Sequence, residues 1–376
     1  MVAGYQVRIY STGGVLQAVL DRFRSIQIEH RVNTVSTLTL GLYELDATVV
    51  AGYFTLDAIV EVRRRDTAAG LAWYTEFIGF HRSPQRQITT DNNRIFTSYC
   101  RGLLDLIARR SVLYWADTDG SAKGPAPADD VIKDYVRENA GSLALTSNHR
   151  VQNAVTPGLT VQGNTSQAPT YEGANAWKGL LDTITDIGKP HSVDFDVAWG
   201  GPTAAATFEF RTYYPQKGTD RRSGSPSRVP VVFSPDLGNM VNPSYTQSRT
   251  AEATVCAVLG PGEGPLRDIT IRTSPAYNES PWNFIETTLE QSNEDRQHAL
   301  EDAGDKALFD KRASVNVTFD TIQTPQSTYG KHYFIGDMVT TRFSVVAVDV
   351  KIIAATILLN AEGNERITLD LEEMTT

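Results

Sequence analysis

Only two cysteines, Cys100 and Cys256, occur in 376 residues, far apart and in mostly apolar surroundings. This sparse use predicts two small buried thiols rather than a disulfide or a reactive nucleophile, and it suits synthesis in a reducing cytoplasm. Histidine is equally thin. His30, His81, His149, His191, His298 and His332 include no pair at HxH, HxxxH or HExxH spacing, so no histidine metal site is expected. GxSxG and Cys-His signatures are absent. No apolar run reaches the roughly 18–20 residues that span a bilayer, and the most apolar stretch, Val345 to Leu359, is broken by Asp349 and Lys351. The N-terminal Met1-Val-Ala-Gly-Tyr has neither the basic nor the apolar region of a signal peptide. Positive charge is not in excess: the net charge is −9 and the pI about 5.3. A tight nucleic-acid grip, which needs clustered Lys and Arg, is therefore not expected, although DNA could slide past such a surface.

What is present fits a globular chain, 41% hydrophobic and 21% charged, of two to three domains' length. Several short motifs resemble sites and fall short of them. Gly260-Pro-Gly-Glu-Gly264 follows a strand pattern but lacks the Lys-Ser/Thr of a phosphate loop. Its Pro261 removes an N–H and its Glu263 repels phosphate, so a strand-to-strand turn is expected. Asp117-Thr-Asp-Gly120 starts like a calcium loop and is followed by none of the later ligands. Asp194 and Asp196 share one strand face at a spacing that could serve glycoside hydrolysis or a solvated sheet edge. Pro215 to Pro230, carrying Arg221, Arg222 and Arg228, is expected to be a flexible loop, with a basic contact site as the alternative. No catalytic, cofactor-binding or metal-binding residue is assigned.

The first hundred residues predict strands at Tyr5–Tyr10, Ser25–His30, Val35–Leu42, Ala58–Arg64, Tyr74–Phe80 and Arg94–Tyr99, spaced as in a barrel or sandwich. In Ala58-Ile-Val-Glu-Val-Arg, the residues Ala58, Val60 and Val62 take one face. Helices are expected from Tyr99 to about Val112, over Asp129–Asn139, and over Asn175–Ile187. The last carries a stripe of Trp177, Leu180, Leu181, Ile184 and Ile187, an Asn175 cap and a Gly188-Lys189-Pro190 stop. Strands follow at Ser192–Trp199 and Ala206–Tyr213. After residue 230 the pattern predicts strands at Val231–Ser234, Asn239–Gln247, Ala253–Leu259 and Asp268–Arg272, a long helix over Trp282–Lys311, and strands at Ser314–Asp320, Asp337–Phe343, Val345–Leu359 and Arg366–Leu371.

The two β-rich ends echo one another. Tyr53-Phe-Thr-Leu-Asp57 and Tyr333-Phe-Ile-Gly-Asp337 each lead into a strand, and Asn93-Arg-Ile-Phe-Thr and Glu365-Arg-Ile-Thr follow in the same order. The expected architecture is mainly β with an α+β middle: two related β-barrel domains, residues 1–112 and 231–376, flanking an α+β insert over residues 113–230.

On Asp57-Ala-Ile-Val-Glu-Val, Glu76-Phe-Ile-Gly79, the Trp177 segment with its Gly-Lys-Pro stop, Arg249-Thr-Ala-Glu-Ala-Thr-Val and Tyr333-Phe-Ile-Gly-Asp-Met-Val, the chain resembles the hub proteins at the tail tip or baseplate of tailed phages. The resemblance runs along most of the chain. It implies a structural, non-enzymatic virion protein without cofactors, made in the host cytoplasm and placed at the tail tip. It also implies a homotrimer in which two tube-like barrels per chain give a pseudo-six-fold ring with a channel for DNA. The implied partners are further copies, the tail tube or distal tail protein, a fibre or spike protein and a tape-measure protein, with no specific nucleic-acid binding and no membrane insertion of its own. A distal tail ring protein and a carbohydrate-binding or wall-degrading tail protein are the alternatives. A sugar-binding module would expose aromatic platforms, for which Trp73, Trp115, Trp199 and Trp282 are the candidates.

Overall fold

The computed structural model describes residues 3–90, 92–113, 122–146, 153–201, 206–224 and 229–373. Trp115, the Asp117–Gly120 motif, His149 and Arg228 lie outside them. The chain is mainly β, with 45% of residues in strands and 16% in helices.

The N-terminal strands are β1 (Gly4–Tyr10), β2 (Leu16–Leu20), β3 (Ser25–Arg31), β4 (Thr37–Tyr43), β5 (Ile59–Asp66), β6 (Leu71–Ile88) and β7 (Arg94–Gly102), with the short helix α1 (Ala47–Val50) between β4 and β5. Alternation dictates most of them. Val7 and Ile9, Ile26 and Ile28, Leu38, Leu40 and Leu42, and Val60 and Val62 all turn into one core. Helix α2 is confined to Asp105–Ala108, so the expected helix from Tyr99 is corrected: Tyr99–Gly102 continues β7, held by pairing with β4 and β6.

The middle of the chain holds β8 (Ala122–Pro127), α3 (Ala128–Asn139), β9 (Leu159–Val161), β10 (Thr170–Ala174), α4 (Leu180–Gly188), β11 (Asp194–Trp199) and β12 (Phe208–Tyr213). Helix α3 is amphipathic: Val131, Ile132, Tyr135 and Val136 are buried against Leu180, Ile184 and Ile187 of α4 and Phe195 and Phe210 of the small sheet. Trp177 is corrected. It stands before the helix at φ +62° and is 68% exposed, while Gly179 occupies the N-cap.

The C-terminal strands are β13 (Val232–Phe233), β14 (Met240–Ser248), β15 (Val255–Leu259), β16 (Ile269–Thr273) and β17 (Glu286–Glu290), then α5 (Gln297–Asp310), β18 (Ser314–Thr321), β19 (Met338–Phe343), β20 (Val346–Asn360) and β21 (Glu365–Glu373). The long helix expected from Trp282 begins only at Gln297. Glu286–Glu290 instead pairs in parallel with β15, because Thr287, Thr288 and Leu289 suit a sheet position that local charge does not reveal.

Residues from both ends share one sheet. Its order is β14-β18-β21-β20-β3-β4-β7-β6-β5-β1-β2, with β19 and β13 branching from β20. The ladders run edge to edge and close no ring among the described residues. Buried side chains from residues 5–100 and from 231–371 form one continuous core, a second core belongs to the middle of the chain, and a third, small one lies between α5 and the β16-β15-β17 sheet.

Candidate interface between the two ends of the chain

Strands β3 and β20 join the halves antiparallel from Ser25↔Asn360 to Arg31↔Ala354. Beneath this seam lies a buried polar network. Arg64 is fully buried, since it continues the face of Val60 and Val62 two residues further along β5. Its Nε and Nη2 donate to the two carboxylate oxygens of Glu365 at 2.7 and 2.8 Å, and its Nη1 donates to the Tyr329 carbonyl at 3.1 Å. The Tyr5 hydroxyl also donates to Glu365. On the neighbouring strand Glu76 accepts from the hydroxyls of Tyr74 and of Tyr329 (3.1 Å) and sits 3.0 Å from His30 Nε2.

The electrostatics follow from that packing. Burial works to raise the Glu76 carboxyl, but the hydrogen bond and charge of His30, the Tyr74 hydroxyl and the Arg64 guanidinium outweigh it and hold the group below its ordinary value. Burial, reinforced by the nearby carboxylates, pushes the phenols of Tyr5 and Tyr329 well up, so both stay neutral donors. Buried charges are tolerated only when paired and hydrogen-bonded, and here the partners come from both ends of the chain.

Two further anchors tie the middle to the sheet. Lys351 Nζ on β20 donates to both oxygens of the buried Asp194 at 2.8 and 2.6 Å, and Asn33 Nδ2 donates to the same carboxylate at 3.1 Å. Asp337, also buried, accepts from the Thr219 amide at 2.6 Å, Arg221 Nε at 2.8 Å and the Phe334 amide at 3.0 Å. The flexible loop expected at Pro215–Pro230 is therefore corrected over its described part. Asp220 bridges to Met338, Arg221 donates its amide to the Met338 carbonyl, and Gly218 lies against the Gly336–Asp337 backbone. Arg222 is held by Asp220 at 2.8 Å, so Arg221 and Arg222 serve internal contacts.

The remaining residues singled out in the sequence are dispersed. Asp196 pairs with Lys217 at 2.5 Å and accepts from Tyr213, so each carboxylate of the Asp194/Asp196 pair has its own lysine. Asp57, half-buried at φ +62°, pairs with Arg82 and Arg109, unlike its buried counterpart Asp337 in the echo. Val60 and Val339, each the second residue of its echoed strand, are fully buried. His81 lies 2.7 Å from the Ser98 hydroxyl, His191 Nδ1 is 2.8 Å from the Ile187 carbonyl, and His298 Nδ1 is 3.1 Å from Asp302. The amide of Thr328 donates to His332. Gly260–Gly264 turns between β15 and β16. No group of three or more His, Cys, Asp or Glu is placed to hold a metal among the described residues. Both cysteines are free and buried.

The comparisons with known proteins bear on an architecture that joins its two ends over nearly the whole chain. A family model, described as Siphovirus ReqiPepy6 Gp37-like protein, matches residues 6–370. The chain belongs to this family. Solved structures share the fold of the Gp37-like chain at low identity. A tail protein from Neisseria meningitidis MC58 aligns with a TM-score of 0.59 at 11% identity, over 99% of this chain and 97% of that one. The 43 kDa tail protein of prophage MuSo2 from Shewanella oneidensis gives 0.56 at 9%, over 97% and 98%. Prophage tail protein gp18 from Listeria monocytogenes EGD-e gives 0.53 at 10%, over 98% and 94%. No curated protein matches. The expected resemblance to phage tail proteins is met in a siphovirus family match and in a fold shared with tail proteins.

Proposed function

We propose that this Gp37-like protein is the structural hub of a tail tip or baseplate. Three copies form a ring of pseudo-six-fold symmetry that joins the tail tube or distal tail protein to a fibre or spike and leaves a channel for DNA. The carrying observation is the β3–β20 seam, which places two β units, one from each end of the chain, side by side in one sheet. Repeated threefold, two such units per chain supply six positions, the number a hexameric tube asks for, and the echo around Asp57 and Asp337 fits their descent from one tube-like barrel. The net charge of −9 suits a channel past which DNA moves without adhering. A structural rather than catalytic role is supported by the lysine partners of Asp194 and Asp196.

The test is the oligomer mass of the purified protein with negative-stain images of the same sample. A trimer with a central hole is expected. A six- or twelve-fold ring would move the assignment to a distal tail ring, and a monomer that binds or degrades cell-wall sugar would overturn it.

A further inference from the structure

Two short edge strands at distant places in the molecule are left open in complementary ways. Among the described residues, strand β2 pairs only with β1, and β16 only with β15. Each is five residues long and contains no proline, and the one charged residue in either, Arg272 of β16, turns toward α5. At β2 the side chains of Val15, Leu16 and Val19 are exposed, Leu16 at 46% and Val19 at 48%. Arg8 faces Val19 across the ladder, and the segment leading out of β2 carries Arg22 and Arg24 against the single acid Asp21, with Arg24 over the Tyr43 ring; none of the three arginines has an ion-pair partner among the described residues. At β16 the side chains of Leu266, Ile269 and Ile271 are exposed, Ile269 at 57% and Ile271 at 55%. Thr270 and Arg272 turn the other way, and Arg272 pairs with Asp305 of α5, so the two isoleucines form an outer face. Beside it stand Glu263 and Asp268, without ion-pair partners among the described residues, while Arg267 is taken up by Glu290 of β17.

The charges are segregated on a larger scale as well. Residues 1–112 hold 13 Arg, no Lys and 10 Asp or Glu, a net of +3. Residues 252–310, the lobe of β15–β17 and α5, hold 4 Arg or Lys against 12 Asp or Glu, a net of −8, nearly the whole charge of the chain. An apolar edge in a basic rim and an apolar edge of equal length in an acidic rim are complementary surfaces on one chain. In a single copy they belong to different sheets and make no ladder with each other.

We propose that the β2 edge of one copy docks on the β16 edge of the next, head to tail, basic rim against acidic rim. Different surfaces meeting in this way make a heterologous contact, which closes into a ring when the rotation between copies allows it. The contact deepens the hub reading and rests on it for the expectation of closure.

Cysteine pairing tests the contact directly. Leu16→Cys and Ile271→Cys are exposed substitutions, and the two native thiols are buried. Under mild oxidation a mixture of the two variants is expected to give a disulfide-linked dimer that neither gives alone. Adding Arg22→Glu and Arg24→Glu to the first variant should cut the yield at least tenfold, and adding Glu263→Lys and Asp268→Lys to the second should restore it. Cross-linking of Leu16→Cys with itself would overturn the head-to-tail arrangement. Rings in the electron microscope that never yield the mixed cross-link would sink this contact and leave the hub reading standing. A chain that stays monomeric at every concentration would sink both.

Discussion

Arg64 and Glu365 stand 301 residues apart in sequence and meet through two parallel N–H···O bonds of 2.7 and 2.8 Å beneath the seam of the main sheet. The arginine is fully buried and the carboxylate nearly so. Such a pair adds little net stability over an apolar replacement, yet breaking it strands a buried charge. Arg64→Met should therefore cost about 3–5 kcal/mol in chemical denaturation, and the double variant Arg64→Met, Glu365→Leu should recover much of that loss. If the single variant unfolds like wild type, the network does not hold the two ends together.

Glu76 gives the same junction a pH dependence. Its carboxyl is held below its ordinary value in the folded protein, so the folded state binds its proton less readily than the unfolded chain does. The stability from this group is therefore present above the unfolded glutamate value of about 4.3 and is lost as pH falls from there through the lower folded value. Glu76→Gln should flatten the stability profile below about pH 4.5 relative to wild type while lowering stability at neutral pH. Parallel profiles for the two proteins across that acid range would contradict the assignment.

How far the sequence discloses this junction depends on which constraints are local. The alternation Ala58, Val60, Val62 identifies β5 and its core face, and continued by two residues it also places Arg64 inside. The Arg63-Arg64-Arg65 run hides this, because three arginines together look like a solvated strand end. The network members Glu76, Tyr329 and Glu365 carry no local mark, since their burial comes from pairing across hundreds of residues. The displaced helices have similar causes. Trp177 falls on a helical spacing with Leu180 and Leu181, but its positive φ and the Gly179 cap lie outside what apolar periodicity encodes. Ala122–Pro127 holds Gly124, Pro125 and Pro127, which locally favour a loop, and it forms β8 because β10 supplies an edge partner that tolerates proline.

The strap that closes the middle of the chain onto β19 should be sensitive to a single methyl group. A Cβ on Gly218 would stand 2.1 Å from the Gly336 carbonyl carbon and 2.2 Å from the Asp337 amide nitrogen, and backbone cannot yield as a side chain can. Gly218→Ala should cost about 1–3 kcal/mol, the range for forced overpacking, and should raise protease cleavage around residues 215–224. Gly163→Ala, where nothing lies within 4 Å, serves as the control and should behave as wild type. Equal cleavage in both variants would mean that the loop is not strapped.

Neither cysteine should react while the protein is folded. Burial pushes the Cys100 thiol up to about 12 against the opposing hydrogen bond from Ser98, and burial also raises Cys256. Since the thiolate is the reactive form, a thiol reagent at pH 8 should titrate no groups in the native protein and two after denaturation. Rapid modification of one thiol in the native state would show a core that opens.

Asp194 separates the structural reading from the enzymatic alternative. As a catalytic carboxylate it could be changed to Asn with loss of activity and little loss of stability. As the partner of the buried Lys351 it cannot, because the substitution leaves an ammonium group inside the protein without its counter-charge. Asp194→Asn should lower stability by about 3–5 kcal/mol, and a Lys351→Met replacement in the same chain should restore part of it, since an uncharged pair no longer carries the desolvation cost. Wild type and both variants should turn over a cell-wall extract no faster than buffer does. Turnover by wild type that disappears in an undiminished, fully stable Asp194→Asn protein would return the carboxylate to catalysis and remove the main support for a purely structural hub.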